Sequence, residues 1–284
     1  MTLVDLKAFE LVGRLYHEHL LLPGWRRWPN AEHDPWEGIG VFLSGYAFER
    51  QGRPARFAPT AIEVIQEMQA SGRGVQEDVA QEAWDRFSGK LGGQNLNHAN
   101  NPMAPKGTPF TRKAHALRTA GPSVFELARE WAPSIVGHTL SLIRGQGIRD
   151  AHRRLASING VGPKITSFFL RDVALRFELA PGADRALLQP VDVWVQRAAY
   201  CLWSSGTEDS LDVAGRIVRE CDLEGVNPEL VNAGMWYFAA QIARSDRVFD
   251  SAIHDPGEFH RLLVAYVEGL KSAVSAYEQA YRPC

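Results

Sequence analysis

Lys164 lies in Leu155-Ala-Ser-Ile-Asn-Gly-Val-Gly-Pro-Lys-Ile-Thr-Ser-Phe-Phe169, and its neighbours decide what an amine there can do. Gly160 and Gly162, separated by Val161, permit a tight turn between two helices and let a ligand approach bare backbone. Pro163 suits the first position of the second helix, so that helix directs its free N–H groups and positive dipole end out of the turn. Such a hairpin, flanked by Arg149, Arg153 and Arg154, is suited to grip a phosphate without reading a base. Gly-x-Gly turns also join ordinary helices, and a lone lysine beside one is by default a solvated phosphate contact.

A carboxylate follows at a fixed interval. Gln189-Pro-Val-Asp192-Val-Trp-Val-Gln-Arg197 puts Asp192 at a helix start after a loop, 28 residues beyond Lys164. Alone, such an aspartate is a helix cap. Together, Gly-Val-Gly-Pro-Lys and Val-Asp-Val-Trp-Val-x-Arg resemble the helix–hairpin–helix (HhH-GPD) DNA glycosylases over about residues 150–203. Within that superfamily the chain is most similar to the 8-oxoguanine branch, particularly its archaeal type. The resemblance implies that Lys164 and Asp192 are the catalytic pair and that double-stranded DNA carrying a damaged or modified base is the partner. It also implies an all-α, two-lobed fold. Two positions depart from the usual pattern: Asn159 stands where proline commonly precedes the first hairpin glycine, and Trp194 where histidine often follows the aspartate.

The chemistry implied is cleavage of an N-glycosidic bond. Positive charge develops on the sugar, and a carboxylate such as Asp192 stabilises it. An amine attacking the sugar carbon gives a covalent intermediate that later permits strand cleavage. Lys164 must lose its proton to attack, which a helix N-terminus and partial burial at a lobe interface favour. Asp192 then also accepts that proton and organises the lysine. Water attack, with Lys164 only supporting Asp192, is the monofunctional alternative.

A base stacked in a duplex must be flipped out, at a cost recovered by stacking it on aromatic rings and filling the gap. Phe168 lies one helical turn from Lys164 and can line the same pocket. The archaeal enzymes place a base-stacking aromatic at that position. Trp236, in Met235-Trp-Tyr-Phe238, is the candidate opposite ring, whereas Phe169 and Phe238 read as core. Wedge candidates are the amides of the irregular stretch 92–110, chiefly Asn97 and Asn100, which a solvated linker would explain as well. No cofactor is required, but related hairpins bind sodium or potassium through carbonyls that correspond to Ala156, Ile158 and Val161. Gly160, Val161, Gly162, Arg153 and Arg154 are the expected DNA contacts. Oxidised guanine is the substrate the resemblance favours. A hypermodified phage base, excised as antiviral defence, and a non-catalytic DNA-binding module are the alternatives.

The elements that must position these groups read as helical. Periodicity marks helices near 3–21, 36–50, 60–70, 75–88, 112–119, 123–132, 134–144, 148–157, 163–173, 191–203, 211–221, 228–243 and 256–281, with no convincing alternating strand. The expected organisation is one catalytic unit over 1–284 in two lobes. Residues 1–105 with about 190–284 form one lobe, and about 106–189, containing the hairpin 155–173, form a central basic lobe. Residues 101–171 hold eleven Lys/Arg against three acids, net +8, while the remainder of this 284-residue chain is net −10. A basic segment on an acidic body suits a phosphate-facing surface. Three cysteines (Cys201, Cys221, Cys284) are too few for a disulfide framework, a cysteine zinc site or a four-cysteine iron–sulfur cluster. With no membrane span and early charges at Asp5, Lys7 and Glu10, the expectation is a cytoplasmic, nucleoid-associated monomer.

Overall fold

The computed structural model describes residues 3–48, 54–75, 79–93, 96, 98–112, 115–204 and 209–280. The chain is mostly helical and divides into two compact units, residues 1–18 with 191–284, and residues 19–190. No helix among the described residues is long and apolar enough to cross a membrane.

In the discontinuous unit, α1 (Leu6–Tyr16) is started by Asp5, whose carboxylate accepts from the Ala8 amide. Residues 19–190 contribute α2 (Leu22–Trp25), α3 (Pro35–Phe42), α4 (Phe57–Ala70) and α5 (Ala80–Lys90). After these come strands β1 (Pro109–Arg112) and β2 (His115–Arg118), then α6 (Val124–Glu130), α7 (Ile135–Arg144), α8 (Ile148–Ala156) and α9 (Pro163–Arg176). The chain then returns to the discontinuous unit with α10 (Val193–Trp203), α11 (Ser210–Glu224), α12 (Pro228–Tyr237), α13 (Asp246–His254) and α14 (Pro256–Ala280).

Within that unit α1 and α12 cross at backbone contact. A Cβ on Gly234 would lie 1.9 Å from the Phe9 carbonyl oxygen, so only glycine permits the crossing. Phe9, Phe238 and Phe259 fill the core beside it, the last two stacked at 4.0 Å. Asn227 caps α12 through the Leu230 amide, ahead of Pro228, as the Asn-Pro order predicts. α12 continues as a wider turn over Phe238–Ala243.

Within residues 19–190, Ser134 caps α7 and its hydroxyl donates to the Ala31 carbonyl at 2.6 Å, tying α7 to the segment before α3. Phe42 meets Phe169 edge to face at 5.0 Å, which joins α3 to α9. Ser123 and Glu126 form a reciprocal capping box on α6.

Two expectations are corrected here. Residues 109–112 and 115–118 pair as two antiparallel strands, Phe110 opposite Leu117 and Thr111 opposite Ala116, where a helix near 112–119 is expected. Phe110-Thr-Arg and His-Ala-Leu117 hold too few residues for periodicity to separate a turn of helix from a short strand. The division of the chain also falls elsewhere. Residues 19–105 belong with 106–190, because Ser134 and Phe169 anchor them there, and only 1–18 accompany the C-terminal part.

Candidate nucleic-acid interface

α8 buries Ile148, Ala151 and Leu155 and turns its arginines outward. The chain leaves it through Ser157 and Ile158, and the Val161 amide donates to the Ile158 carbonyl at 2.9 Å to close the turn. Gly160 has φ +72°, the left-handed region that favours glycine, and a Cβ there would lie 1.8 Å from the Asn100 carbonyl oxygen. Gly162 is extended and precedes α9, with Pro163 at its first position as the sequence predicts. Ile158 and Val161 are buried beneath the turn, while Pro163 and Lys164 are exposed above it.

The turn is held from behind by the Asn-rich stretch. Asn159 donates its amide to the Pro122 carbonyl at 2.8 Å, and its side-chain Nδ2 donates to the Asn101 carbonyl at 2.9 Å. A proline at 159 has neither donor. The departure from the usual pattern therefore has a structural reason in this chain. Asn101 and Met103 are fully buried, so this part of the irregular stretch is a packed support and not a solvated linker. Asn100 is exposed beside Gly160, whereas Asn97 lies outside the described residues.

Lys164 occupies the first turn of α9 with an exposed side chain. Asp192 caps α10. Its Oδ1 accepts from the amides of Trp194 and Val195 at 2.9 and 3.0 Å. Lys164 belongs to residues 19–190 and Asp192 to the discontinuous unit.

All three arginines near the hairpin have carboxylate partners. Arg149 pairs with Asp184, which raises its pKa, Arg153 with Asp150 and Arg154 with Glu130. The Arg154 guanidinium also lies 5.7 Å from the Trp131 ring. These pairs are solvent-exposed, so a phosphate can replace the carboxylates at small cost. Phe168 is half-buried, with the Arg171 guanidinium 4.9 Å from its ring centre. Trp236 is half-buried and meets Tyr16 edge to face at 6.0 Å, while Phe169 and Phe238 are core as expected.

Of the three carbonyls expected to face an alkali ion, that of Ile158 accepts from the Val161 amide within the turn. One feature that periodicity does not reveal is a buried chain of polar groups under Phe168. Arg171 and Asp172 pair at 2.8 Å, the Tyr46 hydroxyl donates to Asp172 at 3.1 Å, and Trp25 Nε1 donates to Tyr46 at 3.2 Å. Its sequence signal is the adjacent charges inside the apolar run Phe168-Phe-Leu-Arg-Asp-Val-Ala-Leu175.

Neither protein-family descriptions, nor curated proteins, nor solved structures contain a match to this chain.

Proposed function

We propose that this chain is a DNA glycosylase that flips out and excises a damaged or modified base, with 8-oxoguanine-type lesions favoured. The observation that carries the reading is the hairpin, in which Gly160 is pinned on Asn100 while Gly162, Pro163 and Lys164 front a helix N-terminus. Backbone donors and a lysine presented together suit a phosphate and its sugar.

In the bifunctional mode the Lys164 amine attacks C1′ of the deoxyribose. The C1′–N bond breaks with its electron pair going to the base, which leaves as an anion or takes up a proton. The lysine nitrogen loses a proton, the sugar ring opens to a Schiff base, and β-elimination then cleaves the strand. Asp192 offers its carboxylate to the positive charge that develops on the sugar, with Oδ1 held by two backbone amides. The carbonyls of Ala156, Ile158 and Val161 would hold a sodium or potassium ion, which supplies positive charge toward a phosphate. Phe168 and Trp236 are the proposed base-stacking rings, and Arg153 and Arg154 exchange their carboxylates for phosphates.

Borohydride trapping on abasic and 8-oxoguanine duplexes, with mass spectrometry of bases released from damaged and phage-derived DNA, tests this directly. A covalent adduct lost in Lys164→Gln supports the bifunctional mode; released base without an adduct supports water attack. The exposure of Lys164 favours one second reading, a non-catalytic DNA-binding module. Duplex binding with no base released from any substrate would replace the enzyme by that module.

A further inference from the structure

Lys164, Phe168 and Arg171 follow one another at i, i+4 and i+7 along one face of α9. The face runs from an exposed amine, through a half-buried ring, to a guanidinium with no exposed surface. Arg171 is compensated by Asp172, whose Oδ1 accepts from Nε at 2.9 Å and from Nη2 at 2.8 Å. Asp172 Oδ2 accepts from Tyr46, and Tyr46 from Trp25, so the carboxylate is engaged on both oxygens.

A buried ion pair is a poor way to gain stability. Apolar residues of similar size usually do as well, because both charges must be stripped of water. Here the pair also sets a cation 4.9 Å from the centre of the Phe168 ring. A guanidinium against one face of an aromatic ring is attracted by its electrons and draws them toward itself. The opposite face becomes a better partner for an electron-rich or negatively charged ring. Asp172 meets the guanidinium through Nε and Nη2, so the same cation that the carboxylate holds also lies over the ring.

Resting on the glycosylase reading, we propose that Arg171 is a specificity-determining residue that acts through Phe168 and favours bases that are anionic or leave as anions. A heterolytic C1′–N cleavage puts the bonding electrons on the base, so a positive potential behind its stacking partner stabilises the departing group. The substrate class is then acidic, oxidised bases over neutral ones of the same shape.

The test is equilibrium binding to non-cleavable duplexes, whose sugar is fluorinated at C2′, at neutral pH. Xanthine, which is anionic there, is compared with hypoxanthine, which is neutral and nearly the same shape. The native protein is expected to bind the xanthine duplex about tenfold tighter, equivalent to one pKa unit of preference for the charged form. Arg171→Met with Asp172→Asn removes the two charges of the pair together and should bring the ratio to about one. Its affinity for an abasic duplex should stay native, and Arg171→Lys should keep most of the preference. A ratio near one in the native protein, or an unchanged ratio in a folded double variant, overturns the proposal. Because nothing is cleaved, these outcomes are separate from a failure to release base, which would remove the enzyme reading instead.

Discussion

Gly160 and Gly162 lie two residues apart in one turn, yet they meet opposite environments. At Gly160, with φ +72°, a Cβ would fall 1.8 Å from backbone oxygen, whereas at Gly162 nothing lies within 4 Å. Gly160→Ala is therefore expected to cost about 2–4 kcal/mol in denaturant unfolding, combining left-handed strain with a clash that backbone cannot relieve. Gly162→Ala should stay within about 1 kcal/mol of the native protein, because its extended backbone accepts any residue. Asp192 allows a similar separation of roles. Asn caps a helix about as well as Asp, whereas Ala loses about 1 kcal/mol. Asp192→Asn should thus melt like the native protein but lower the single-turnover excision rate by about a hundredfold or more, as loss of a charge-stabilising group does. Asp192→Ala should lose both. An Asn variant with native rates would reduce Asp192 to a cap.

At the level of elements, α8 carries its arginines already engaged. Arg154 pairs with Glu130 at the end of α6 and Arg153 with Asp150 on its own helix. Exposed pairs of this kind contribute at most about 1 kcal/mol, so removing the acid frees the base without unfolding anything. Glu130→Gln with Asp150→Asn should tighten duplex binding by about two- to tenfold and steepen its salt dependence, measured by titration over a range of ionic strength. Unchanged affinity would show that α8 faces away from DNA. α10 is fastened at both ends of its first turns. Asp192 caps it, and Arg197 clasps Asp250 through Nε at 2.6 Å and reaches Asp246 at 2.9 Å on α13. The Val-Asp-Val-Trp-Val-x-Arg pattern therefore joins a cap to a clamp, which the residues show as a spacing but not as a contact.

Taken whole, the molecule should lose stability in acid in two stages, one from each unit. His152 lies between the legs of the hairpin, 3.3 Å from the Ser167 hydroxyl and bonded to the Pro163 carbonyl. Burial lowers its pKa, and the carbonyl bond only partly opposes this. Below the ordinary histidine value of about 6.5 the unfolded chain then binds more protons than the folded one. The contribution of His152 is complete above that value and is lost as pH falls toward its folded value. Melting temperature should decline between about pH 7 and 5, and His152→Gln should flatten that decline. Asp250 follows lower down. Hydrogen bonds from Arg197 depress its carboxyl, so its share is present above about pH 4 and disappears as pH falls through the depressed value. A His152→Gln profile identical to the native one would place the first stage elsewhere.

Local physics made much of this legible in the residues. Apolar spacing marks most helices, Asn-Pro marks the start of one, and Gly-Val-Gly-Pro-Lys announces a turn into a helix, because each signal acts within one or two turns of chain. Contacts far apart in sequence had no such signal. That Asn159 is tied to Asn101, that Arg171 lies under Phe168 beside a carboxylate held by Tyr46, and that residues 19–105 keep company with the hairpin were decided by the fold. So was the exposure of Lys164, since burial is a property of everything that surrounds a side chain. Hydrogen bonds and ion pairs between distant segments depend on where packing carries each donor, and packing is settled only when the whole core closes.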